Sequence, residues 1–183
     1  IPPLYHRKTS ALANIEPAWP EIAAASEWAE KESKDFAALG KGIEIAFDSK
    51  VAYDFTYLLA RKLQLLAVPV SVVSLPVLSS TVASRHESES IERLDEWNGS
   101  SFLFVITGFT PDPPPYDRKH MFEVEWFLRS WLLSGRSLVL QGEGRLADCA
   151  WWSNGLRSLF NDRLALRFNG PPANRKPTPS TSR

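Results

Sequence analysis

Lys50 is the side chain of this sequence best placed to meet a phosphate. It ends the short stretch Asp48-Ser49-Lys50, which follows an apolar run, Gly42-Ile43-Glu44-Ile45-Ala46-Phe47. After it, Val51 to Leu66 carries Val51, Phe55, Leu58, Leu59, Leu63 and Leu66 at helical spacing. A strand, a loop and a helix in that order form a nucleotide-binding scaffold. Its chemistry would be a lysine ammonium against phosphate oxygens, with Ser49 as the neighbouring hydroxyl. A loop that cradles phosphates also needs glycines, because its N–H groups turn inward at positive φ with no Cβ in the way. No glycine stands between this strand and this helix. The scaffold is kept and its usual grip on a nucleotide is missing. Were a nucleotide held here by a nonstandard site, Lys50 would be the phosphate binder and Asp112 the metal ligand.

Other constellations are weaker. His86-Glu87-Ser88-Glu89 is the one tight His/acid cluster; two carboxylates and an imidazole can bind a metal or move protons. It also reads as a solvated helix start, where acids favour the positive end of the dipole. His6 and His120 stand alone, and His120 falls on a helix surface. Cys149 sits on an expected helix beside Trp151 and Trp152 with no local histidine, the setting of a buried thiol. Ser79-Ser80 and Ser88/Ser90 match no nucleophile elbow. Seven tryptophans are many for this length. Core packing accounts for them, or else Trp126, Trp131, Trp151 and Trp152 anchor a partner. Arg157, Arg163 and Arg167 lie near the end of the fold. Paired basic residues, such as Arg61-Lys62 and Arg118-Lys119, are scattered.

The elements that must position these residues follow from periodicity. Residues 1–20 hold four prolines and read as an irregular lead-in. Pro20 opens a helix over Glu21–Phe36, and Gly40 and Gly42 end that segment. Pro69 stops the helix that follows the first strand, and Val70–Ser74 is a short β-branched strand. Glu87–Trp97 reads as a charged helix punctuated by Asn98-Gly99. Ser101–Ile106 is almost continuously apolar, as in a strand buried on both faces. A stiff proline loop over 110–115 precedes a helix that Asp117 can cap and Gly135 ends. Leu138–Leu140 is a fourth strand, Leu146–Phe160 a helix and Leu164–Phe168 a fifth strand. Residues 173–183 read as a disordered polar tail.

At 183 residues the chain suits one domain, residues 1–172, with an apolar fraction of 44% and a formal net charge of +0. Neutrality argues against a strongly electrostatic DNA-binding surface. The single cysteine excludes an intrachain disulfide and a cysteine-rich metal site. It fits a reducing compartment, and the expected location is cytoplasmic. No apolar run is long enough for a membrane span and no signal peptide is seen. Alternating strands and helices imply a three-layer α/β domain, a parallel sheet of five strands covered on both faces.

The order of pieces resembles the ATPase domain of the DnaC/IstB family, AAA+ helicase loaders and transposition helpers. The similarity runs through Ile1-Pro2-Pro3-Leu4-Tyr5, Gly40-Lys41-Gly42, Ala60-Arg61-Lys62-Leu63, the strand Phe102–Ile106, Gly135-Arg136-Ser137-Leu138 and Asn169-Gly170-Pro171. It implies a P-loop NTPase fold with strand order 5-1-4-3-2 and, here, no substantial lid. The functional residues of the family do not carry over. Alignment on the helix puts Ala52 and Tyr53 where the Walker A lysine and hydroxyl belong. Thr107-Gly108 follows the Walker B strand in place of two acids. Gln141-Gly142-Glu143 occupies the sensor-1 area, and Arg157-Ser158-Leu159 is a displaced form of the arginine-finger motif, which makes Arg157 an interaction candidate: if the family's oligomer-forming edge is kept, it, Arg163 or Arg167 reaches a neighbour's site. The resemblance therefore implies a pseudo-ATPase without catalytic residues, cofactor or metal. It would act as an adaptor or regulator of another protein, such as an active ATPase or helicase. The alternatives are an NTPase using Lys50 with ATP and magnesium, and a DNA-binding module.

Overall fold

The computed structural model describes residues 40–46, 50–106 and 118–169. The irregular lead-in, the helix expected over 21–36, the proline loop, Asp117 and the tail lie outside the described residues. Five strands alternate with helices: β1 (Gly42–Ala46), α1 (Lys50–Leu65), β2 (Val70–Ser74), α2 (Leu75–Ala83), α3 (Ser88–Asn98), β3 (Phe102–Ile106), α4 (Arg118–Leu133), β4 (Ser137–Gly142), α5 (Asn154–Arg163) and β5 (Leu164–Asn169). All neighbouring strands pair in parallel, in the order β2-β3-β4-β1-β5. This is the expected order.

β3 explains why the sheet is buried on both faces. All five of its residues, FLFVI, are buried. Phe102 and Phe104 join Ile43, Ile45, Ala52, Phe55, Leu59 and Leu63 in one apolar cluster, beneath α1. Leu103 and Val105 point the other way, as alternation requires. They join Leu78, Val82, Leu128, Trp131, Leu138, Leu140, Leu156 and Phe160 in a second cluster, under α2, α4 and α5. The sheet is thus the middle of three layers.

Two segments differ from the sequence reading. Pro76 lies in the first turn of α2, a helix that the sequence reading leaves unassigned, where its missing N–H costs nothing. The helix expected over Leu146–Phe160 is instead a single 3-10 turn, Leu146–Asp148, a non-helical passage, and then α5. Ser153 starts α5 by accepting a hydrogen bond from Leu156 N at 3.2 Å. Cys149 therefore lies in the connection and not on a helix.

The amino-terminal edge of the sheet is tied together around Ser137. Its Oγ accepts from Lys41 N at 3.1 Å, and its carbonyl accepts from Trp131 Nε1 at 2.8 Å. Arg136 lies over the Trp131 ring, 4.2 Å from its centroid, and also donates to Asn98 O. Gly135, at φ 80, makes the left-handed turn between α4 and β4. Trp131→Ala is expected to lower stability by about 3–5 kcal/mol, because it opens a large cavity and frees a carbonyl. Urea unfolding with an unchanged m-value checks this.

Candidate functional site at the carboxyl ends of the strands

In an open parallel sheet a ligand site lies beyond the carboxyl ends of the strands, near a change of strand order. Here that place is where β1, β4 and β3 end side by side. Ile45 pairs with Gln141, and Gln141 pairs with Ile106. By alternation all three face the α1 side, so Gln141 stands between the strand that leads to Lys50 and the strand that leads to Thr107. This is the place where the resemblance implies the sensor asparagine. The Gln141 amide is fully buried.

β1 ends at Ala46 and α1 opens at Lys50. Phe47, Asp48 and Ser49 are all that joins them in the sequence, and all three, the candidate hydroxyl of Ser49 included, lie outside the described residues. Lys50 itself is the first residue of α1. Ala52, aligned with the Walker lysine, is buried in the α1 core. Asp112 and Thr107-Gly108 also lie outside the described residues.

One functional group escaped the sequence reading. Glu44, in the middle of β1, is 1% exposed. Its Oε1 accepts from Leu146 N at 2.6 Å, and its Oε2 is paired with Arg167 Nε on β5. Alternation puts it opposite Ile43 and Ile45, on the side of α5. The only sequence signal was a carboxylate inside an apolar strand with an arginine in a second strand, which alone does not say that the two pair in register. Arg167 is thus occupied inside the domain.

The β4–α5 connection is held at further points. Arg157 Nη1 donates to Ala147 O at 3.2 Å, and Arg157 also pairs with Asn154 Oδ1. Ser153 N donates to Glu125 Oε2 at 3.1 Å. Cys149 is buried in this connection, and its Sγ donates to Arg145 O at 3.3 Å. Burial, then Asp148 and Glu44, push its thiol up to about 11, with Arg157 acting weakly in the opposite direction. Such a thiol is protonated at neutral pH and is no nucleophile.

The aromatic candidates divide. Trp131 and Trp152 are core residues, 1% and 2% exposed, so neither is an open anchor. Trp151 is half-buried and rests against Trp152, with ring centroids 4.5 Å apart. Trp126 is 60% exposed. His86, Glu87, Ser88 and Glu89 are exposed at the start of α3, where Glu89 pairs with Arg93. His120 is half-buried on α4. Among the described residues no group of three His, Cys, Asp or Glu side chains could hold a metal ion, and no helix is long and apolar enough to cross a membrane.

The five parallel strands, their order and the helix opening at the end of β1 define an AAA+ type P-loop fold. Solved structures agree. The chain is similar to DnaI, with a TM-score of 0.62 and 13% identity over 93% of each chain. It is similar to a putative primosome component from Streptococcus pyogenes serotype M3, with a TM-score of 0.56 and 15% identity, over 84% of this chain and 81% of that one. It is also similar to AMPPCP-bound DnaA from Aquifex aeolicus, with a TM-score of 0.61 and 10% identity, over 80% of this chain. The chain spans about half the length of that initiator, 46%. No protein-family model matches the chain, and no curated protein matches it by sequence.

Two outcomes follow from this geometry. Arg167→Met leaves the Glu44 charge buried without its partner and is expected to cost about 3 kcal/mol, more than Glu44→Gln, because Arg167 itself reaches water. Urea midpoints of the two variants check the order. The Cys149 thiol is raised in the folded state, so its contribution is complete below its ordinary value of 9.0 and is lost as pH rises toward about 11. The stability gap between the native chain and Cys149→Ala is therefore expected to hold steady up to that lower value and to narrow above it.

Proposed function

We propose that this chain is a DnaC/IstB-like AAA+ relative that has lost its grip on triphosphate and magnesium. It works by contact, as an adaptor or regulator of a partner ATPase or a DNA-processing assembly. The observation that carries this reading is the connection from β1 to α1. The P-loop pattern G-x-x-x-x-G-K-[ST] folds its backbone around the phosphates before the helix starts. Phe47-Asp48-Ser49 is too short to wrap a phosphate chain and has no glycine to turn its N–H groups inward. The Walker B position adds no acid, since Thr107-Gly108 follows β3. The partner class rests on the likeness to DnaI, to a primosome component and to DnaA.

One observation favours a second reading. Lys50 opens α1, at the end of the helix where a phosphate-binding lysine stands and where the dipole favours an anion. That is the nonstandard NTPase, with ATP and magnesium as its ligands. Titration of a fluorescent ATP analogue with magnesium separates the two. The adaptor predicts no saturable binding and no change in Lys50→Ala. Saturable binding that is lost in Lys50→Ala supports the enzyme instead. A DNA-binding module, the remaining alternative, predicts affinity that falls steeply with salt.

A further inference from the structure

The outer face of α4 is apolar where a solvent-facing helix line is ordinarily polar. From His120 to Leu133, the exposed residues of α4 are Phe122, Trp126, Arg129 and Leu133. Phe122 is 71% exposed, Trp126 60% and Leu133 63%. They are four, three and four residues apart, which keeps them on one face of the helix. The opposite face, Val124, Leu128, Trp131 and Leu132, is buried in the core, so this stripe is not a misplaced core face.

The spacing reads the same from either end. If a second α4 is laid antiparallel on the first about their common midpoint, Phe122 meets Leu133 of the other copy and Trp126 meets Arg129. Each contact then occurs twice, as a two-fold interface requires. The outer pairs are apolar. The inner pairs set a guanidinium over an indole face, the strongest of the common cation–π partners. Alternating three- and four-residue steps are also what a helix pair at a shallow crossing angle presents. The stripe is therefore complementary to itself in shape, with a cation set against an aromatic ring in each inner pair.

We propose that α4 is a homodimerisation helix and that two copies of this chain pair antiparallel through Phe122, Trp126, Arg129 and Leu133. This goes beyond the adaptor reading and does not depend on it, since the face lies on α4 and not at the β1–α1 connection. The buried area sets the strength. Aromatic side chains bury ~150–250 Å² each, so the stripe supplies roughly half of the about 800 Å² per partner of a stable complex. A reversible dimer with a Kd on the order of tens of micromolar is expected.

Sedimentation velocity of the full chain from about 5 to 300 µM tests it. The native chain is expected to move from monomer to dimer. Trp126→Arg sets like charges against Arg129 of the other copy and is expected to weaken dimerisation at least about tenfold. Circular dichroism checks that its fold is unchanged, since Trp126 is exposed. The antiparallel register has its own readout. A short bismaleimide is expected to couple Phe122→Cys chains to Leu133→Cys chains when the two are mixed, and to couple neither variant to itself. The buried Cys149 stays silent in this assay. A chain that remains monomeric throughout, a dimer indifferent to Trp126→Arg, or coupling of each variant to itself would overturn the proposal.

Discussion

A carboxylate buried in the middle of the central strand constrains everything around it. Glu44 has almost no access to water, so its charge is tolerable only with a cation and a donor in place. Arg167 is the cation and Leu146 N is the donor. The first requires β5 to lie beside β1 in one register, because Glu44 and Arg167 are cross-strand partners. The second requires the chain leaving β4 to turn back over β1 and not to run straight into a helix. A purely apolar residue at this position would accept several registers and several loop shapes. The charge accepts one, which is a specificity effect more than a gain in stability.

That constraint also marks where the sequence could be read and where it could not. β3 was legible because FLFVI has no polar alternative to burial on both faces. α1 was legible because its apolar residues fall on one helical stripe. The passage over 146–153 was not, since Leu146, Trp151, Trp152, Leu156 and Phe160 fit a helix by spacing. Spacing alone does not show that the helix starts only where Ser153 accepts from Leu156 N. The tryptophans of α4 were ambiguous for a different reason. Phe122, Trp126 and Leu133 form one apolar stripe, and Val124, Leu128, Trp131 and Leu132 form another. Periodicity identifies both and cannot say which faces the sheet. At the carboxyl ends of the strands, the lack of glycines beside Lys50 was plain from the residue types. The buried Gln141 between β1 and β3 needed the strand order and register.

The scaffold and the nucleotide grip are separable in physical terms. Among the described residues the fold is held by two apolar clusters on either side of the sheet. On the proposed reading, what is missing is a set of backbone N–H groups aimed at one point. This is why the proposed role relies on surface and not on catalysis, and why an aromatic line on α4 carries more weight than any titratable cluster.

The sealed thiol in the β4–α5 connection makes the chain its own reporter of internal breathing. Cys149 is the one sulfhydryl in the sequence, and no solvent reaches it in the closed state. Any reagent that modifies it must wait for Glu125, Arg157 and Glu44 to release their hold on the surrounding backbone. The rate of its modification therefore times the opening of that one segment, which ordinary spectroscopic probes average with the rest of the domain.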